Sequence, residues 1–145
     1  MGIRHNFKLA VATRFVDELP DDLKTDDDVS YVLPDFPTDG MKGKKEWVHL
    51  RVYHNTSRRL TIGPKGARRF NRRGRIAIQI YTEPGVGPKR ADDIAEIIGN
   101  MFEGRSLPGF SVVFTNCEPR ETGLDNDGRY NVTLAEVEFE YRVRK

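Results

Sequence analysis

Carboxylates are missing from residues 47 to 82, and cysteine is almost missing from the whole chain, with Cys117 alone. A lone cysteine cannot close an internal disulfide and has no second cysteine with which to build a zinc motif, so the chain suits a reducing compartment. Long apolar runs are also lacking, which excludes a spanning helix. The opening "MGIRHNFKLAVATRF" holds only LAVA as an uncharged apolar run, too short for a signal-peptide core. Asn6 stands where a myristoylation signal wants Ser or Thr. Synthesis in the cytoplasm and no membrane partner are the expectations. Tryptophan is scarce, but eight Phe and five Tyr supply core material to 145 residues, about one domain's worth of chain. One domain spanning 1–145 is expected.

Complete motifs of chemistry are lacking too. "GPKGARR" and "EPGVGPKRAD" only approach phosphate-cradling loops, because the first lacks the GxxxxGK spacing and the second lacks the third glycine of GxGxxG. Pro88 also stands where the second loop would need a donor N–H. His49 and His54 are five apart, so on one strand they point to opposite faces and cannot share an ion. The run Asp26, Asp27, Asp28 lacks the glycine and closing glutamate of a calcium loop, and "GLDNDGRY" reads as a turn. No nucleophile sits in a recognisable elbow. Catalytic, metal-binding and cofactor-binding residues are therefore expected to be none, and the chain is not expected to be an enzyme.

What is present is charge, sorted by sign. Residues 15 to 40 carry nine acids against Lys24 alone, whereas residues 47 to 82 carry nine bases. Such segregation points to docking faces or a charged partner. The acidic set is Asp17, Glu18, Asp21, Asp22, Asp26, Asp27 and Asp28, followed by Asp35 and Asp39 within an acidic connection over 20–45. The basic set is Arg58, Arg59, Lys65, Arg68, Arg69, Arg72, Arg73 and Arg75. Gly63, Pro64, Gly66, Asn71 and Gly74 break any period there and predict a loop over 56–75.

Periodicity supplies the scaffold. Leu9, Ala12, Val16 and Leu19 form a helical stripe over 5–19, with Phe15 on its edge, Asn6 as N-cap and Pro20 as stop. "VSYVL" is one short strand. "EWVHLRVYHN" alternates Val48, Leu50 and Val52 against Trp47, His49, Arg51 and Tyr53, and "RIAIQIYTE" turns Ile76, Ile78 and Ile80 inward. After the turn "PGVGP", Ala91, Ile94, Ala95, Ile98, Met101 and Phe102 line a helix that opens near Pro88 and stops at Gly104. "FSVVFTNCE" and "YNVTLAEVEFEYRVR" are two further strands separated by a hairpin loop, "PRETGLDNDGRY". Val132 and Leu134 break the parity of Ala135, Val137, Phe139, Tyr141 and Val143. They call for a bulge near residue 134 or a strand buried on both faces there. The fold class is α+β: a single, mainly antiparallel sheet of four to five strands with two helices packed on one face.

The arginines admit two readings. Nucleic-acid binding through them would be lost steeply with salt. Phe70 is the only ring among them, though, where single-strand binders use several stacking platforms, and no helix offers a groove-reading face. A protein-facing basic surface is the other reading.

One segment adds a resemblance. "GRIAIQIYTEPGVGPKRADDIAEIIGNMFEG", residues 74–104, joins a Gly-led strand, a Gly-containing turn and a helix opening at Ala91-Asp92 and closing on Phe-Glu-Gly. With "WVHLRVYHN" before it and "GRYNVTLAEVEFEYRV" after it, the layout resembles the tail terminator proteins of long-tailed (siphovirus) bacteriophages. The resemblance implies a structural protein without catalysis or cofactor, a homo-oligomer forming a hexameric ring. That ring would cap the tail tube, end polymerisation of the tail tube protein and present a docking surface to the head-tail connector protein. It further implies a place in the virion, at the head-proximal end of the tail, for a protein made in the host bacterial cytoplasm. A head completion or stopper protein at the same junction is a neighbouring expectation. The arginine richness of 58–75 exceeds what the resemblance requires and leaves transient contact with genomic DNA in the channel open. Acidic and basic segments suit the heterologous contacts of a closed ring, adding orientation more than affinity.

Overall fold

A computed structural model describes residues 3–25, 28–41, 43–85, 88–125 and 128–144. Gly2, the residue a myristoylation signal would modify, lies outside the described residues, as do Asp26, Asp27, Val86 and Gly87 of the expected features and Asn126 and Asp127 of the "GLDNDGRY" turn. The elements in chain order are α1 (Ile3–Glu18), β1 (Lys24–Thr25), β2 (Asp28–Val29), β3 (Tyr31–Val32), β4 (Trp47–Arg59), β5 (Arg69–Thr82), α2 (Lys89–Phe102), β6 (Val112–Phe114), β7 (Glu118–Leu124) and β8 (Asn131–Arg144). Single 3-10 turns at Asp21–Leu23 and Asp39–Met41 shape the connection between α1 and β4.

The fold is α+β, with one or two strands more than expected. The main sheet runs β3-β4-β5-β8, and both β6 and β7 add to the free side of β8. Only β3, against β4, is parallel. The expected "VSYVL" strand is divided: β2 pairs with β1 in a separate two-stranded ladder, and β3 joins the main sheet.

Register explains the core. Val48, Leu50 and Val52 stand opposite Ile80, Ile78 and Ile76, which in turn stand opposite Thr133, Ala135 and Val137. Alternation puts all of them on one face, and both helices cover it. Each buried Val, Ile, Leu or Phe contributes about 1.5–3 kcal/mol relative to exposure, so this layer holds the sheet and helices together. In α2 every residue expected on the inner face is buried, and Gly104 ends the run at φ 65°.

The first helix differs from expectation. It begins by Ile3, so Asn6 is not its cap, and its buried ridge is Phe7, Val11 and Phe15, continued by Leu19. Leu9, expected inside, is 55% exposed. Four-residue spacing of larger side chains won over the mixed three-and-four stripe, because Phe7 stacks on Tyr141 with centroids 4.4 Å apart and packs edge-on against Phe110 at 5.3 Å.

The expected basic loop is mostly strand. β4 and β5 continue as a paired hairpin to Arg59 and Phe70, and β8 accompanies β5 as far as Arg69. Backbone ladders ignore side-chain charge, so Arg58, Arg59, Arg69, Arg72, Arg73 and Arg75 all stand on strands. Only residues 60–68 form the turn, closed by the Leu60 N–H donating to the Arg69 carbonyl at 2.7 Å and the Arg69 N–H donating to Thr61 Oγ1 at 2.8 Å. A bulge at Asn55 shifts the pairing between His54 and Thr56. Gly74 lies opposite it, where a Cβ would stand 1.9 Å from the Tyr53 carbonyl oxygen and 2.6 Å from the Phe139 ring. Only glycine fits there.

The expected loop "PRETGLDNDGRY" likewise contains a strand, β7, whose seven residues are all exposed. β8 pairs with β5 without interruption, so the parity break at Val132 is not a bulge in β8. Val132, Thr133 and Ala135 are buried, which makes this end of β8 covered on both faces. The register shift sits in β7, between Glu121 and Gly123. On the outer face Trp47 stacks on Tyr81 at 3.9 Å, and both meet Tyr130, whose hydroxyl donates to the Lys44 carbonyl at 2.5 Å.

Candidate assembly interface

The two charged segments end up at opposite ends of the sheet. Glu46, immediately before β4, and Arg90, in the first turn of α2, mark one end, and Asp22 joins them. The hairpin turn 60–68 marks the other. Thirteen residues of β4 separate the ends, about 40 Å at the usual rise of an extended strand.

At the acidic end most charge is engaged within the chain. Arg90 meets Glu46 through Nε at 2.9 and 3.0 Å and through Nη2 at 2.7 Å, while Nη2 also reaches Asp22 at 2.5 Å. Hydrogen bonding to Glu46 is the main reason the guanidinium pKa is raised. Glu18 pairs with Arg14 at 3.2 Å and with Arg105, whose head also donates to the Asn100 carbonyl. Asp21 lies 4.0 Å from Lys24. Asp17 is exposed and, among the described residues, its carboxylate forms no ion pair. Asp26 and Asp27 lie outside the described residues, and Asp28 stands on β2.

The basic set splits into two groups. Arg73 pairs with Glu140 at 3.2 Å, and Arg75 reaches Glu136 at 3.6 Å with its guanidinium 4.9 Å from the centre of the Tyr53 ring. Arg72 is 6% exposed, on the helix-covered face. Beyond these, Arg58, Arg59, Lys65 and Arg69 are exposed, Arg68 is half-buried, and among the described residues none of the five forms an ion pair. Two apolar side chains share this arm: Leu60 is 43% and Ile62 is 94% exposed. Sequence reasoning missed them, although "LTIGP" places two aliphatic residues in a segment with no core-facing period. Elsewhere Leu9 lines an open groove with Leu107 and Phe110, and Phe36, Val113 and Leu124 are also exposed.

Two sheet edges are open. β3 covers β4 only at Val48 and His49, so among the described residues no strand pairs the rest of that edge of β4. On the far side, the outer edge of β7 has no partner strand among the described residues either. Such edges are templates for further pairing.

The histidines fall as expected on opposite faces. His49 is buried on the outer face, and burial followed by Arg51 lowers its pKa. His54, on the helix-covered face, is lowered to about 4 by burial first and then by Arg4, Lys8 and Arg72. Burial, then Glu103, pushes the Cys117 thiol up to about 11, so it is a poor nucleophile. Among the described residues no cluster of His, Cys, Asp and Glu has the make-up of a metal site, and no helix is long and apolar enough to cross a membrane.

Comparison with known proteins completes the description. No curated protein matches the sequence. Seven chains of solved structures are similar. One aligns over 95% of this chain and 97% of its own with a TM-score of 0.59 and 14% identity, a likeness of fold alone. The family model for phage tail terminator proteins matches residues 9–135, from the first helix to the middle of β8. Because that span takes in most of α1, all of α2, the long hairpin and β7, the chain belongs to the phage tail terminator family, structural components of the phage particle.

Proposed function

We propose that the chain closes into a ring of identical subunits that caps the tail tube, ends its polymerisation and gives the head connector a surface to dock on. The observation that carries this reading is the pair of open sheet edges on opposite sides of one subunit, β4 on one and β7 on the other. Edges on opposite sides favour a heterologous contact, which closes into a ring when the rotation allows. The number six comes from the family resemblance. The basic hairpin and the acidic end add orientation, with Asp17 and the exposed arginines as the charges free to act between subunits. Its setting in this reading is the head-proximal end of a siphovirus tail, after synthesis in the host cytoplasm. The test is tube growth: purified tail tube protein should polymerise to a limited length when this chain is present and bear a ring at one end. Growth unaffected by the chain contradicts the reading, and a ring that binds the connector but not the tube favours a stopper role instead.

A second reading rests on the unpaired group Arg58, Arg59, Lys65 and Arg69, a cationic arm able to follow a phosphate backbone. It predicts DNA affinity that falls by orders of magnitude between low and moderate salt. No binding at about 50 mM salt removes it.

A further inference from the structure

The phase of α1 that sends Phe7, Val11 and Phe15 into the core turns Leu9 outward, 55% exposed. Beside it the turn after α2 is closed by the Phe110 N–H donating to the Leu107 carbonyl at 3.0 Å. Leu107, Pro108 and Phe110 of that turn, with Leu9 and Ala10, line an open groove of about 590 Å³, the size of a binding cleft. Two charged side chains also line it. Arg14 is engaged, pairing with Glu18 and donating to the Met101 and Ser106 carbonyls, both at 3.0 Å. Asp17 is exposed, and among the described residues its carboxylate forms no ion pair. The groove therefore has an apolar floor and a free negative charge at one end.

The hairpin tip has the converse surface. Ile62 is 94% and Leu60 43% exposed, flanked by Arg58, Arg59, Lys65 and Arg69, none of which forms an ion pair among the described residues. The tip points away from the groove of its own chain. α1 begins beside the middle of β4, where Phe7 meets His54, and runs to Phe15, which meets Tyr31 opposite Val48. The arm leaves His54 in the other direction, and Leu60 lies six residues beyond it, about 20 Å along a ladder that pairs through Arg59 and Phe70. Ile62 can therefore meet Leu9 only in another copy. We propose that the hairpin tip of one copy inserts Ile62 and Leu60 into the α1 groove of the next, with the bases of the arm facing Asp17. Apolar burial supplies the affinity, and the charges align arm and groove. The contact joins two different surfaces of one chain, so it propagates head to tail, and its closure into a ring rests on the reading given above.

The test uses the full chain carrying Leu9→Asp or Ile62→Asp. Both side chains are exposed, so each variant should keep the circular dichroism of wild type. Each should assemble at least about tenfold more weakly in sedimentation, the loss of one buried aliphatic contact. In a mixture of the two, the arm of the Leu9→Asp chain still fits the groove of the Ile62→Asp chain, so pairs should form where neither variant alone pairs. A second mixture, Leu9→Cys with Ile62→Cys, each also carrying Cys117→Ser, should give a disulfide-linked pair in oxidised glutathione. Val113→Cys in the same Cys117→Ser background, equally open on β6, should not link to Ile62→Cys. If wild type assembles while both Asp variants assemble equally well, or if the Leu9 and Ile62 cysteines link no faster than the Val113 control, insertion is overturned and the ring reading stands. Linked chains that extend without closing at a fixed mass support insertion and overturn the ring. A wild type that stays monomeric and cysteines that give no link overturn both. A Leu9→Asp chain that assembles like wild type but no longer binds tail tube protein also overturns the proposal and assigns the groove to that partner.

Discussion

The two ends of the sheet carry similar amounts of charge and use it differently. At the acidic end Asp22 and Glu46 clasp Arg90, and Glu18 holds Arg14 and Arg105, so the charges tie α1, α2 and the start of β4 to one another. At the basic end Arg73 and Arg75 are neutralised by Glu140 and Glu136 of β8, but beyond Gly74 the arm carries exposed arginines that, among the described residues, meet no acid. Counting charges along a sequence shows the segregation. Which charges are already spent depends on what the fold brings across from distant elements.

Changes at the root of the hairpin should have the largest effect. If the basic stretch is a laddered arm and not a solvated loop, Gly74→Ala must force a methyl against the Tyr53 carbonyl and the Phe139 ring. A loss of about 3 kcal/mol in urea unfolding is expected, at the upper end of overpacking costs. A loss under about 0.5 kcal/mol, the ordinary surface range, would make the arm a loop after all.

Acidity should act next. The folded-state pKa of His54 is about 4, below its unfolded value, so between pH 6.5 and 4 the unfolded chain binds more protons. The stability tied to a neutral His54 is therefore full above pH 6.5 and lost as the pH falls towards 4. After allowance for partial solvent screening the loss is about 2 kcal/mol, and it should be absent from the His54→Gln variant in chloride buffer. Equal pH slopes in the two proteins would show that His54 is not held neutral by its surroundings.

Arg90→Met sharpens the comparison from the acidic end. It leaves Asp22 and Glu46 facing each other without a cation and should cost about 1 kcal/mol, since the group is partly exposed. Charge reversal of Arg58, Arg59 and Arg69 together should change stability least, within about 0.5 kcal/mol, because among the described residues none has an ion pair to lose. Its effect should fall on assembly. A reversal that instead includes Arg72 and Arg73 mixes assembly with folding, because Arg72 is buried and Arg73 is paired with Glu140.

The alternating cores of β4, β5 and β8 and the inner face of α2 were legible because burial there follows a simple period with one class of side chain. α1 was not phased correctly, because Leu9 and Val16 offered a plausible stripe while the decisive contacts of Phe7 are with residues more than a hundred positions away. The distal halves of β4 and β5, and all of β7, were hidden for a shared reason. Arginine, glycine and proline mark loops statistically, whereas pairing along a neighbouring strand is a backbone property that local sequence does not display. The bulge at Asn55 left one trace, the glycine opposite it. Of the candidate interface, the two charged sets were visible, but Leu60, Ile62 and the open edges of β4 and β7 emerge only from the topology.

The central claim, a ring closed by surfaces at opposite sides of the subunit and steered by the free basic arm, is tested most directly by native mass. Wild-type chain should sediment near six subunits at low salt, and the variant with Arg58, Arg59 and Arg69 reversed should assemble less at the same concentration. A wild-type chain that stays monomeric across concentration and salt, or a reversed variant that assembles as well as wild type, would contradict it.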